Sequence, residues 1–258
     1  KSTNRGSAPP QSLAMQRRYT ISARGKANAV PILSFLARHF PNVPISEVDS
    51  VFGFVGRSTL YGGRVFTGPE LTPDDVSQLY FANVGVRLPL TNHYVERSEY
   101  ERERPMLDMF HRDGNAVIVT NDDLARWIRS DFPRFRVEAS VIKNLKSHDR
   151  IAEAQSIYDT VVLPMELNDD DNFLGGVPNK ERVTLFANAG CALTCPSKTC
   201  YVSVSKINKT GAGDFVCSQS LKDREMLGMI DFDLDRLTEL GFHRFKLLRA
   251  RPGNKTGH

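Results

Sequence analysis

The chain has 258 residues, 40% of them hydrophobic and 25% charged, with 34 basic and 30 acidic side chains and a formal charge of +4. This is the composition of a globular fold of one large or two small domains, and it excludes disordered and collagen-like chains. No apolar run approaches the roughly 20 residues of a membrane-spanning helix.

Lys1 to Arg24 is basic, rich in Ser, Pro and Gln, and lacks the apolar core of a secretory signal. It reads as a flexible tail over residues 1–25, with a second tail at residues 251–258 and a single domain at 26–250. The basic ends offer docking points for a protein partner or a nucleic acid. No zinc-finger spacing, RNA-recognition signature or aromatic–basic ladder accompanies them.

Ala29 to Phe40 reads as a first helix and Ser50 to Val55 as a strand, which runs into the glycine-rich loop Leu60-Tyr-Gly-Gly-Arg64. Thr72-Pro-Asp-Asp75 opens the next helix, with Thr72 as cap, Pro73 in the first turn and Asp75 at the capping-box position. Val84 to Leu90 is a strand ending at Thr91-Asn92. The charged stretch Glu96 to Arg104 precedes an amphipathic helix to His111. Ala116 to Thr120 is a strand, followed by Asn121 and a helix to Phe132; Arg136 to Val141 is another strand. Ser147 caps a helix to about Tyr158, and Asp159 to Leu163 is a strand. Arg182 to Ala187, helix Asp233 to Leu240 and strand Phe242 to Leu248 complete the series.

Strand, loop and helix thus alternate about seven times. Short, near-continuously apolar strands fit a parallel sheet buried on both faces. The expected fold is α/β, a TIM-like (β/α) barrel, complete or open, of about seven parallel strands. A doubly wound open sheet is the alternative, but no GxGxxG or Walker pattern accompanies it.

Polar residues recur at strand ends: Arg64 after the glycine pair, then Asn92, Asn121, Ser140 with Lys143, Asn168 and Asn188. In a barrel these ends line the active-site mouth. Asn and Asp are also the ordinary caps and turn formers after a strand, so capping is the simpler reading of any one of them. Asn at four strand ends favours a shared polar pocket. The clustered Asp169, Asp170 and Asp171 read as a solvated loop, and the histidines form no HxH or HxxxH pair.

All four cysteines fall within 27 residues, at Cys191, Cys195, Cys200 and Cys217, with spacing C-x3-C-x4-C-x16-C. Without a secretory signal a reducing compartment, the cytoplasm, is expected, where clustered thiols bind metal or do redox chemistry. Four thiolates are the donor set of a [4Fe–4S] cluster or of a zinc ion. The C-x2-C pairs usual in structural zinc sites are missing, and Pro196 directly follows Cys195, as beside iron–sulfur ligands. The cluster is the first reading; zinc, and free thiols or a disulfide pair, stay open.

Asn188-Ala-Gly-Cys191-x3-Cys195-Pro196, with Cys200-Tyr201 where relatives often carry His-Tyr, resembles the cysteine region of the collagenase-like peptidase family. That family includes the iron–sulfur proteins of oxygen-independent ubiquinone hydroxylation and of ribosomal and transfer RNA hydroxylation. Tyr61-Gly-Gly-Arg64, Val84 to Asn92, Ala116 to Asp122, Phe132-Pro133 to Ser140 and Gly241-Phe-x-x-Phe245-Lys246 resemble further family stretches, in order. Leu248-Arg249-Ala250-Arg251 departs from the family's final Gly-Arg, and the cysteine spacing departs from that of the hydroxylation proteins. The resemblance implies a TIM-like barrel and a cysteine-bound cluster. Arg64, Asn92, Asn121, Ser140, Asn168 and Lys246 would then line the pocket. The expected activity is redox modification, such as hydroxylation of an aromatic or nucleic-acid substrate. The alternatives are a non-enzymatic, zinc-stabilised assembly barrel and a peptidase-type hydrolase.

Overall fold

The structure is a computed structural model and describes residues 16–220, 222–223 and 228–258. Eight parallel strands close into a barrel: β1 (Arg18–Ser22), β2 (Val48–Phe52), β3 (Gly85–Leu90), β4 (Ala116–Val119), β5 (Arg136–Ala139), β6 (Thr160–Val162), β7 (Val183–Phe186) and β10 (Arg244–Leu247). Each pairs with the next, and β10 pairs with both β7 and β1. The barrel is complete, with eight strands where about seven were expected.

The extra strand is β1, which lies inside the segment expected to be a tail. Its sequence Arg-Tyr-Thr-Ile-Ser lacks an apolar run, yet Tyr19, Thr20, Ile21 and Ser22 are all buried because both faces are covered. Without it β2 and β10 would expose unpaired edges. The domain therefore begins by Arg18, not at residue 26; residues 1–15 of the expected tail lie outside the described residues. In the expected C-terminal tail, Gly257 O accepts a hydrogen bond from Asn42 Nδ2 at 2.6 Å.

Alternation along the strands sorts the side chains. Arg87 on β3 pairs with Glu138 on β5, two strands away, at 2.9 Å, so both point into the lumen. Val86 and Leu88 beside Arg87, Val137 and Ala139 beside Glu138, Leu185 beside Thr184, and Phe245 and Leu247 beside Lys246 face the helical layer and form part of the apolar core. The lumen itself is polar. Ser50 Oγ accepts from Arg87 Nε at 2.9 Å, and Glu138 Oε2 accepts from Thr160 and Thr184, each at 3.0 Å. Ordinary TIM barrels fill this space with Val, Ile and Leu.

Seven helices surround the barrel between strands: α1 (Ile32–His39), α2 (Pro73–Phe81), α3 (Arg97–Phe110), α4 (Asp122–Asp131), α5 (His148–Ile157), α6 (Asp171–Gly175) and, before β10, α8 (Leu234–Glu239). A further helix, α7 (Cys200–Thr210), starts on the third cysteine. The charged stretch after Glu96 belongs to α3 rather than preceding it. A short antiparallel ribbon, β8 (Asn188–Ala189) with β9 (Ile230–Asp231), extends past β7. Among the described residues no helix is long and apolar enough to cross a membrane.

The α2 capping box forms as expected. Asp75 N donates to Thr72 Oγ1 at 3.2 Å, and Thr72 N donates to Asp75 Oδ2 at 2.9 Å. Asp75 also accepts from Ile32 N at the start of α1 and pairs with buried Lys26 at 2.8 Å, joining two helices to the barrel. Thr72→Ala removes one cap bond and is expected to cost about 1 kcal/mol in denaturant unfolding; an unchanged midpoint would refute the cap's contribution.

Candidate functional site at the C-terminal mouth

The C-terminal strand ends meet at one mouth, and the cysteine segment covers one side of it. Local backbone geometry explains the early glycine pair. A Cβ at Gly62 would stand 2.3 Å from the Thr91 carbonyl oxygen, and Gly63 has φ +76°, in the left-handed region. Arg64 forms a two-point ion pair with Glu70 and lies 4.1 Å over the Phe54 ring. Its guanidinium is committed to holding this loop.

Asn92 is fully buried. Its Nδ2 donates to the carbonyls of Thr59 at 3.0 Å, Tyr61 at 3.1 Å and Ser205 at 2.9 Å, and its Oδ1 accepts from Tyr94 N at 2.9 Å. Asn208 of α7 reaches the same loop, donating to Tyr61 O and Arg64 O and accepting from Phe66 N. Together they fasten α7, and with it Cys200, to the end of β3 and the glycine loop.

The other strand-end residues are placed one by one. Asn121 caps α4, accepting from Leu124 N at 3.0 Å. Ser140 caps the 3₁₀ turn Val141–Lys143, accepting from Ile142 N at 3.2 Å. Asn188 exchanges two bonds of 2.8 Å with the backbone of Leu248. Asn168 donates to Phe186 O at 2.8 Å, while its buried Oδ1 has no partner among the described residues. Capping or strand-end locking thus accounts for Asn92, Asn121, Ser140 and Asn188. Lys246 differs: it is buried and makes no hydrogen bond or ion pair among the described residues, and its Nζ lies 4.4 Å from the Phe52 ring centroid. Asp169 and Asp171 pair with Arg236, as a solvated loop would.

The cysteine segment is a set of tight turns. Cys191, Cys195, Cys200 and Cys217 are all half-buried free thiols. Cys195 Sγ accepts from Lys198 N at 3.3 Å and lies 3.3 Å from Ser218 Oγ; Cys217 Sγ accepts from Gln219 N at 3.5 Å. Lys198 holds φ +51° in the turn that aims its N–H at the sulfur. Burial raises the Cys195 pKa, but the Ser218 hydroxyl, the N–H groups of Lys198 and Ser197 and the Lys198 charge outweigh it, and the thiol lies below its ordinary range. Cys200 moves the other way: burial pushes it up, and Cys195, Cys191 and Cys217 add to the rise. Cys195, Cys191 and Cys217 thus each lie within electrostatic reach of Cys200. Among the described residues no three His, Cys, Asp or Glu side chains are grouped to hold a metal ion.

Beside the cysteine turn opens a pocket of about 210 Å³ whose lining includes His93, Asn144, Lys146, Cys195, Lys198 and Tyr201. Glu166 Oε1 holds Lys146 at 2.8 Å and Lys198 at 2.9 Å across it. His93 Nδ1 lies 3.1 Å from Ser205 Oγ, and burial pulls the imidazole below its usual pKa, keeping it neutral at pH 7. Sequence reasoning passed over His93, Lys146, Glu166, Lys198 and Tyr201. A signal existed for two of them, because His93 directly follows the strand-end Asn92 and Tyr201 directly follows Cys200.

No protein-family model matches the chain, and no curated protein matches it in sequence. In three dimensions it is similar to the solved structure of the U32 peptidase Mk0906, with TM-score 0.62 and 13% sequence identity over 95% of this chain and 97% of that one. The fold of this chain is therefore the barrel fold of a U32, collagenase-like peptidase, the fold that its cysteine region and strand ends imply by resemblance.

Proposed function

We propose that the protein is a barrel enzyme whose mouth carries a [4Fe–4S] cluster on Cys191, Cys195, Cys200 and Cys217. Its reaction would be a redox modification, such as hydroxylation of an aromatic or nucleic-acid substrate. The observation that carries this reading is the set of four half-buried free thiols in one segment beside a pocket, three of them within electrostatic reach of the fourth, Cys200. The donor set fits the group. All four ligands are thiols, and Cys195 and Cys217 already accept backbone N–H bonds, the contacts that tune a cluster's potential. A zinc ion would be held by the same four thiols. When bound, the cluster supplies one-electron redox chemistry. The chain's own residues supply the substrate pocket: Lys146 and Lys198 give it positive charge, and neutral His93 gives it a hydrogen-bonding group.

Protein prepared without oxygen is expected to be brown, with absorbance near about 400 nm and about four irons per chain. Colourless, iron-free anaerobic protein would overturn the reading. Zinc at about one per chain, with unfolding on chelation, would replace it with the assembly barrel.

A second reading, a peptidase-type hydrolase, is favoured by the fold shared with the U32 peptidase. Peptide hydrolysis that survives replacement of all four cysteines by Ser would establish it over the first.

A further inference from the structure

The barrel lumen carries a charge that its own side chains do not balance. At its base Asp49 pairs with Arg136 at 2.9 Å and with Arg87 at 3.0 Å. Glu138 pairs with Arg87 through Oε1 and accepts from Thr160 and Thr184 at Oε2, so that only its charge reaches Lys246. Nearer the mouth Arg64 is matched by Glu70. Lys246 is left over. It is 6% exposed, and its ammonium has an aromatic ring beside it where a counter-ion would be expected. Phe52 ends β2 and Lys246 is the second-last residue of β10, so the amine sits at the level of the mouth. Two residues past β1, the exposed Arg24 side chain likewise makes no hydrogen bond or ion pair among the described residues. Desolvation and the charges of Arg64 and Arg251 press on it against the pull of Cys191 and Glu70.

We propose that this part of the mouth binds an oxyanion, the carboxylate or phosphate group of a small-molecule substrate, with Lys246 as the buried ligand and Arg24 at the lip. A buried ammonium without an anion is costly, and two remedies exist: lose the proton or gain a partner. The first is under way. Burial, with Arg87 on β3 and Arg64 above, lowers the Lys246 pKa to about 8 against the pull of Glu138 on β5. At neutral pH the amine is still mostly protonated, so an arriving oxyanion supplies what the barrel lacks. The flanking strands cannot do so: the register partners of Lys246 are Thr20 on β1 and Phe186 on β7. The inference rests on reading the mouth as the working face, but not on the cluster.

The test is calorimetric titration with inorganic phosphate, sulfate and acetate against chloride at matched ionic strength. Saturable binding of at least one oxyanion is expected, weakened about tenfold or more in Lys246→Met and less in Arg24→Gln, with Lys246→Arg retaining most of it. Absence of saturable binding by all three probes, or equal affinity in Lys246→Met, would overturn the site. Should that variant fail to fold, [13C]lysine-labelled wild-type protein decides. The resonance titrating near pH 8 must shift to higher pH on saturation with phosphate, and an unmoved titration refutes the proposal. Phosphate binding needs no iron, so loss of the cluster reading and loss of this site give different results.

Discussion

Glu138→Ala is expected to destabilise the protein by about 3–5 kcal/mol, the cost of breaking a buried ion pair from one side. Glu138 is 1% exposed and joins three strands, forming an ion pair with Arg87 and accepting from Thr160 and Thr184. Its removal strands the Arg87 guanidinium, itself 1% exposed, with only Asp49 as counter-charge. The pair is costly to break rather than valuable in itself. Arg87→Met combined with Glu138→Leu is therefore expected to recover most of the loss, because no charge is left buried alone. Urea unfolding of the two variants decides; a single-variant loss under about 1 kcal/mol would refute the account.

Acid should act on the same pair. Burial alone would raise the Glu138 pKa, but Arg87, Lys246 and the two threonine hydroxyls outweigh it and hold the carboxyl below its ordinary value. Asp49 is lowered likewise, by Arg87 and Arg136 against burial. A depressed carboxylate stabilises the fold fully above its unfolded pKa, about 4.3 for Glu. That contribution is lost as pH falls through the folded value. Stability should therefore drop below about pH 4 in the wild type and drop less steeply in the Met/Leu double variant.

Asn92→Ala is the second large effect, expected at about 3–4 kcal/mol. The two N–H groups that Asn92 shares over three carbonyls, and its acceptor, are lost at a buried position, each with a net value of about 1 kcal/mol, and buried groups left without this partner add to the cost. The damage should be directional. Ser205 belongs to α7, so this helix loses one of its ties to the barrel while β4, β5 and β6 keep their pairing. Amide exchange should accelerate across Cys200–Thr210 well beyond the strands. Asn121→Ala, which removes only a helix cap, is the control at about 1 kcal/mol. Equal losses in the two variants would show that Asn92 is an ordinary cap.

The strand-end asparagines show how far sequence could go. Their positions were legible because an apolar run followed by Asn marks where a strand stops. Their roles were not, because capping, locking a neighbouring strand and facing a ligand use the same amide. Asn121 turned out to be a cap, Asn188 a lock on Leu248, and Asn92 a junction of loop, strand and helix. The alternation of strands and helices was equally legible, except at β1. Arg-Tyr-Thr-Ile-Ser has no apolar run, and two of its buried side chains, Thr20 and Ser22, are polar.

Local sequence determined the strand–helix alternation, the α2 cap and the crowding of four thiols into one short segment, because each depends on residues a few positions apart. The lumen did not follow from it. Arg87 in Gly-Val-Arg-Leu-Pro-Leu and Glu138 in Arg-Val-Glu-Ala each look like one stray charge in an apolar strand. Only barrel closure, through pairings 20 to 226 residues apart, turns them to face each other. The same closure leaves Lys246 without an ion-pair partner among the described residues, with Glu138 in reach only of its charge. Counter-charges are set by what stands across the lumen, and that distance is a property of the closed barrel rather than of any segment of the chain.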